Sequence, residues 1–183
     1  YFGADSDGGT VLILNGEISD EHAMVQNGTP FIAMSLANSL YDNFYYDGNE
    51  GHLLVTGATS TKEGVQGTDY IAGEPVYISL AFLNRFVPMA YEVYEAPERI
   101  AVKTSAGAVT NAETAEDTEL RVSADRQSAI LYSLDKGEAV EILEENDDWA
   151  KVSYQAVKGY VETRDLGDNR QSGVTQLTGG GEA

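Results

Sequence analysis

The sequence predicts a two-part chain: an α+β N-terminal domain of antiparallel strands with two short helices and an internal repeat, followed by a small all-β barrel. Three observations predict it. A repeated turn–strand–helix pattern fills the first half, and strand-length apolar runs separated by Asp, Gly and Asn turns fill the second. Between them, Thr104 to Ala115 is small and polar with no period of 2 or 3.6, as a linker would be. At 183 residues and 42% hydrophobic content the chain can build a real core in its larger part.

Residues 1–9 read as a flexible start, and residues 10–104 as the α+β domain. Val11-Leu-Ile-Leu-Asn15-Gly16-Glu-Ile opens that domain as a hairpin, because Asn-Gly suits the two positive-φ positions of a type I′ turn. The repeat lays Asn27-Gly-Thr-Pro-Phe-Ile-Ala-Met-Ser-Leu over Ala72-Gly-Glu-Pro-Val-Tyr-Ile-Ser-Leu-Ala-Phe, with one residue inserted after the second proline. Each copy predicts a turn, a short apolar strand and one or two helical turns. Met34, Leu36 and Leu40 in the first helix, and Leu80, Leu83 and Phe86 in the second, are spaced to face a sheet. Helices this short need that packing. A tyrosine-rich strand (Phe44-Tyr-Tyr; Tyr91-Glu-Val-Tyr) and an apolar strand (Leu53-Leu-Val; Ile100-Ala-Val) follow each helix, with Asp47-Gly48 as the predicted turn of the first pair.

Residues 105–115 complete the predicted linker, and residues 116–167 the barrel. Five strand segments are predicted there: Glu119-Leu-Arg-Val, Ala129 to Leu134, Ala139 to Leu143, Trp149 to Tyr154 and Gly159 to Glu162. Closing such a sheet hides its edges. Residues 168–183, polar and ending in Thr178-Gly-Gly-Gly-Glu-Ala, read as a flexible tail or a linker to a further domain.

Thirty acidic against eleven basic residues give a net charge of −19, shared between the two halves. A surface this negative repels phosphate backbones and anionic headgroups, so neither nucleic-acid nor membrane-surface binding is expected. No apolar run approaches the ~20 residues of a span, so no membrane insertion is expected. The absence of cysteine removes disulfides, zinc–thiolate sites and a cysteine nucleophile. Only His22 and His52 remain for metal or triad chemistry, both read as surface residues, and no cofactor or metal is expected. The chain opens on Tyr1 rather than methionine, which reads as a processed or trimmed piece.

Thirty carboxylates make apparent acid pairs inevitable. Asp47 with Glu50, and Asp147 with Asp148, fall in predicted turns, where aspartate caps backbone groups. Asp5-Ser-Asp7-Gly8 lacks the glutamate position of a calcium loop. The aromatic residues are the one site-like feature. Alternation places Trp149 opposite Ala150 and Val152, hence outward or in a groove, and Tyr160 opposite Val161. Outward aromatics stack on sugar faces or hold extended peptides. The alternative is that Trp149 folds over the end of the barrel as a plug. Tyr41, Phe44, Tyr45 and Tyr46 read as core and edge packing.

Leu120-Arg-Val, Leu134-Asp-Lys-Gly-Glu-Ala-Val-Glu-Ile-Leu, Trp149-Ala-Lys-Val and Gly159-Tyr-Val resemble a bacterial Src-homology-3-like domain over residues 116–167. Arg121 stands where that pattern has asparagine. The first half, through Leu12-Ile-Leu-Asn-Gly and the two apolar strands ahead of the helices, resembles the copper amine oxidase N-terminal-like domain, with Ala33 and Ser79 in place of its prolines. That accessory domain carries no copper site. The pair in this order resembles the N-terminal region of secreted Gram-positive cell-wall enzymes, especially family-eighteen glycoside hydrolases, whose Asp-x-x-Asp-x-Asp-x-Glu motif does not occur in these residues.

The resemblance implies an extracellular or cell-wall-associated, non-catalytic region that binds or positions an enzyme at peptidoglycan or another wall polymer. Trp149 and Tyr160 are the expected ligand contacts, with Tyr132 third. Two other readings stay open: a carboxylate-dependent hydrolase, and an interaction module that packs on its own downstream catalytic domain.

Overall fold

A computed structural model of the chain describes residues 9–57 and 61–182. The expected flexible start, up to Gly8 and including the Asp5–Gly8 stretch, lies outside them. The described chain is mostly β, with two α-helices and several sheets. It divides into two compact units, one of residues 106–175 and one of residues 9–105 with 176–182.

The N-terminal unit begins with β1 (Val11–Leu14) and β2 (Glu17–Ile18), joined by the predicted turn, in which Asn15 and Gly16 take φ of 50° and 84°. β3 (Met24–Gln26) and β4 (Thr29–Ala33) lead into α1 (Met34–Leu40). After it come β5 (Phe44–Asp47), β6 (His52–Thr56), β7 (Thr61–Glu63) and β8 (Tyr70–Ile71). β9 (Tyr77–Ser79) leads into α2 (Leu80–Phe86), followed by β10 (Ala90–Tyr94) and β11 (Arg99–Lys103).

Three sheets result, ordered β10-β11-β1-β2, β3-β4-β9-β8 and β5-β6-β7, with β1 and β11 parallel. β4 meets β9 antiparallel, Ile32 opposite Ile78. The sheets share one core: Leu12, Ile32, Leu53, Val55, Ile78, Ile100 and Val102 from strands, and Ala37, Leu80, Phe82, Leu83 and Phe86 from helices. Leu80, Leu83 and Phe86 are buried as their spacing requires, whereas Met34, Leu36 and Leu40 pack only partly against the core. Ala37 is the residue that α1 buries. The β5–β6 connection differs from the expected Asp47-Gly48 turn. It spans four residues, Gly51 takes the positive φ, and Asp47 Oδ1 accepts from the amides of Asn49 and Glu50.

The second unit holds β12 (Ala108–Glu113), β13 (Thr118–Arg121), β14 (Ile130–Leu134), β15 (Ala139–Glu145), β16 (Trp149–Tyr154), β17 (Val157–Glu162), a 3-10 turn (Thr163–Leu166) and β18 (Gln171–Val174). One seven-stranded sheet runs β14-β13-β17-β16-β15-β12-β18. The unit's buried apolar side chains are Ala112, Leu120, Leu134, Val140, Ala150, Val152, Val157 and Val161 of the sheet and Leu166 of the 3-10 turn.

The five expected barrel strands form a consecutive block of this sheet, but two flanking expectations are corrected. Residues 108–113, expected as linker, are a strand, because β12 is paired on both sides, Thr110 lying opposite Ile142 and Ser172. Ladder hydrogen bonds, rather than apolar burial, hold it: of its six residues only Ala112 is buried. The segment from Asp168, expected as a flexible tail, supplies β18 and then pairs Thr178 with Met89 of the N-terminal unit.

Candidate functional site

The sequence of β16 fixes where its side chains go. Buried Ala150 and Val152 alternate with half-buried Trp149, Lys151 and Ser153, so Trp149 sits on the outer face. The antiparallel register then sets Glu162 of β17 directly opposite Trp149, and Tyr160 opposite both Lys151 and Arg121. β13 and β17 approach closely because position 159 has no side chain. A β-carbon there would lie 2.7 Å from Leu120 Cγ and 2.8 Å from the Arg121 carbonyl oxygen.

Trp149 lines a groove of about 660 Å³, whose other walls are Glu116 to Glu119 and Arg121 of β13 and its approach, Arg126, Ser133 to Asp135, Glu162, Arg164 and Asp165. Its floor is polar and internally braced. Arg126 Nε donates to Glu162 Oε1 at 2.8 Å, and Arg126 Nη2 reaches the same oxygen. Arg164 Nη2 stands 3.6 Å from Glu162 Oε2. Glu162 is thus clasped between two arginines whose side chains are 63% and 71% exposed, and Arg164 Nε also stands 3.9 Å from Asp165 Oδ1. Across the groove, Arg121 donates to the Ser128 carbonyl at 2.7 Å and to Glu119 Oε1 at 3.0 Å. Asp165, buried, accepts from Thr118 Oγ1 at 2.8 Å and ties the 3-10 turn to β13.

An aromatic face next to paired cations and carboxylates suits a ligand with apolar surface and hydrogen-bonding groups of both signs, such as a peptide or a substituted sugar. The three expected contact residues are not brought together. Trp149 is in the groove. Tyr160 lies on the same outer face but not in the groove's lining. Tyr132 packs edge-on against Tyr154 with centroids 5.4 Å apart, and Tyr154 donates to Glu138. Sequence reasoning missed Arg126, Glu162 and Arg164. The cross-strand register predicts Glu162 once Trp149 is chosen, but Arg126 sits in a polar turn with no periodic signal.

Elsewhere, of the acids expected to cap turns, Asp47 does so with its own carboxylate. At the β15–β16 turn Asn146 takes that role, accepting from the amides of Asp148 and Trp149. His52 of β6 pairs with Glu63 of β7 at the surface. Among the described residues, no group of three His, Asp or Glu side chains could hold a metal ion, and no helix is long and apolar enough to cross a membrane.

Residues 116–167 match the family model described as a bacterial SH3 domain, so an SH3-like domain occupies the block that carries the groove. Neither a curated protein nor a solved structure matches the chain.

Proposed function

We propose that the chain is a non-catalytic binding region that holds or positions an exported bacterial enzyme at the cell wall, with the Trp149 groove as the contact for wall peptide or glycan. The observation that carries this is the half-buried Trp149 beside the Arg126–Glu162–Arg164 cluster, on a domain that matches the bacterial SH3 family. Bacterial SH3 domains are common binding modules, often in cell-wall-associated proteins. The ligand is recognised by stacking on the indole and hydrogen bonds to the arginine donors, not by net charge, since wall polymers and this chain are both anionic.

In this reading the N-terminal unit is a non-catalytic accessory domain of the copper amine oxidase N-terminal-like kind. Support comes from the succession β4–α1–β5–β6 and β9–α2–β10–β11, in which both helices have seven residues and begin at aligned positions of the sequence repeat. The enzyme it positions is a glycoside hydrolase. Co-sedimentation with purified peptidoglycan tests the function. Wild type is retained and Trp149→Ala loses roughly tenfold or more of that retention, the range of a central aromatic contact. Equal retention of the two, or none by wild type at any salt, overturns it.

One observation favours a second reading, hydrolysis by carboxylates: the groove is lined by several acids, and Asp165 is buried. Against it, Asp165 is engaged by Thr118, Glu162 by two arginines and Glu119 by Arg121, which suits fixed acceptors better than a proton donor. Turnover of a glycan or peptide, abolished by Asp165→Asn with the fold retained, would establish the second reading.

A further inference from the structure

The last turn of α2 ends on carbonyls that no helical amide can reach, as every helix does. In the N-terminal unit, those of Asn84 and Arg85 are met from outside the helix. Gly180 N donates to Asn84 O at 2.8 Å, and Glu182 N to Arg85 O at 3.0 Å. Just ahead, Thr178 exchanges both backbone hydrogen bonds with Met89 at 3.0 Å, and Asn84 Nδ2 donates to Thr178 O at 2.7 Å. The Glu182 carboxylate closes the contact: its Oε2 accepts from Arg85 Nη2 at 2.8 Å and Lys62 Nζ at 2.9 Å. Both cations are held over aromatic rings, Arg85 over Phe82 and Phe86 and Lys62 over Phe86, so the receiving charges are positioned by the core beneath them.

The contact selects residue types position by position. A β-carbon at residue 179 would lie 2.2 Å from Asn84 O, and one at residue 180 would lie 2.4 Å from the Pro88 ring. Both residues take φ near +80°, which disfavours any side chain. At residue 181 a β-carbon meets nothing within 4 Å. The demand is therefore two glycines, one unrestricted residue, then an acid.

We infer that the surface formed by the end of α2, Pro88–Met89 and Lys62 is a peptide-recognition site for a Gly-Gly-x-acid segment, and that residues 178–182 are its ligand in cis. The kind of partner it fits in trans is a peptide of the same pattern, which competes with the tail for the same carbonyls and cations. The tail, tethered to the same chain, holds the advantage of intramolecular binding over a free peptide.

The test uses the full chain. Gly179→Ala/Gly180→Ala displaces the tail, so the amides of Gly180 and Glu182 exchange with solvent far faster than in wild type. That variant then binds a fluorescent peptide with the sequence of residues 176–182, at least ~10-fold more tightly than wild type does, because wild type occupies its own site. The peptide with glutamine for its glutamate loses ~10-fold or more, the range of a charge-assisted bond. Gly181→Ala behaves as wild type. Glu182→Gln in the full chain provides a second displacement that adds no bulk. The inference is overturned if the displaced, folded variants fail to bind the peptide, if the tail amides stay as protected in them as in wild type, or if Gly181→Ala displaces the tail as well as the double variant does.

Discussion

At Gly159 the absence of a side chain is a structural requirement, since a methyl group would run into both Leu120 and the Arg121 carbonyl. Neither the strand backbone nor the fully buried leucine can yield without disturbing the core. Gly159→Ala is expected to cost the SH3-like unit about 1–3 kcal/mol in chemical denaturation. At Glu182 the relevant quantity is charge. Hydrogen bonds from Arg85 and then Lys62, outweighing burial, lower its pKa from the ordinary 4.5 to about 2. Arg85 and Lys62 face it, and Asp69 acts on Arg85 in turn. A carboxylate with a lowered folded-state pKa stabilises the contact fully above its ordinary value, and that contribution is lost as pH falls through about 2. The side-chain resonance of Glu182 should therefore titrate near 2 in wild type and higher in Arg85→Ala, where the largest cause of the shift is gone and Lys62 alone still lowers it.

Elements in this chain differ in how well their sequences announce them. α2 is capped by Ser79, whose hydroxyl oxygen accepts from the Phe82 amide at 3.0 Å, while α1 is preceded by Ala33, which supplies no side-chain cap. Ser79→Ala should cost about 1 kcal/mol of stability in thermal or denaturant unfolding. Both helices were legible, because apolar spacing and a preceding strand mark them. The outward placement of Trp149 was legible for a similar reason: alternation along β16 leaves no other face for it. β12 was not legible. Its alanines, threonine and asparagine carry almost no hydrophobic signal, and its stability comes from β15 and β18, which are remote in sequence. β18 and the docked tail were hidden in the same way, their partners lying far along the chain. Thr110→Pro, which removes a donor from a strand paired on both sides, should destabilise the second unit by roughly 2 kcal/mol or more in denaturant melts.

The whole molecule carries a charge of −19 spread along its length, and self-repulsion of that size works against compactness. Raising ionic strength from about 0.01 M to 0.15 M shortens the screening length from roughly 30 to 8 Å, so the melting temperature should rise over that range. In the proposed function the same charge would shape binding, because repulsion from an anionic polymer is screened by salt while stacking on Trp149 is not. The chain contains a single tryptophan, and it lies in the groove. Its emission therefore reports on that groove and on no other part of the molecule. Titration with soluble peptidoglycan fragments, followed by tryptophan emission at two ionic strengths, is the most direct measurement. A saturable shift or quench that persists or strengthens with salt is the predicted result. An emission spectrum that stays unchanged, while the same fragments bind the chain by calorimetry or do not bind at all, would contradict it.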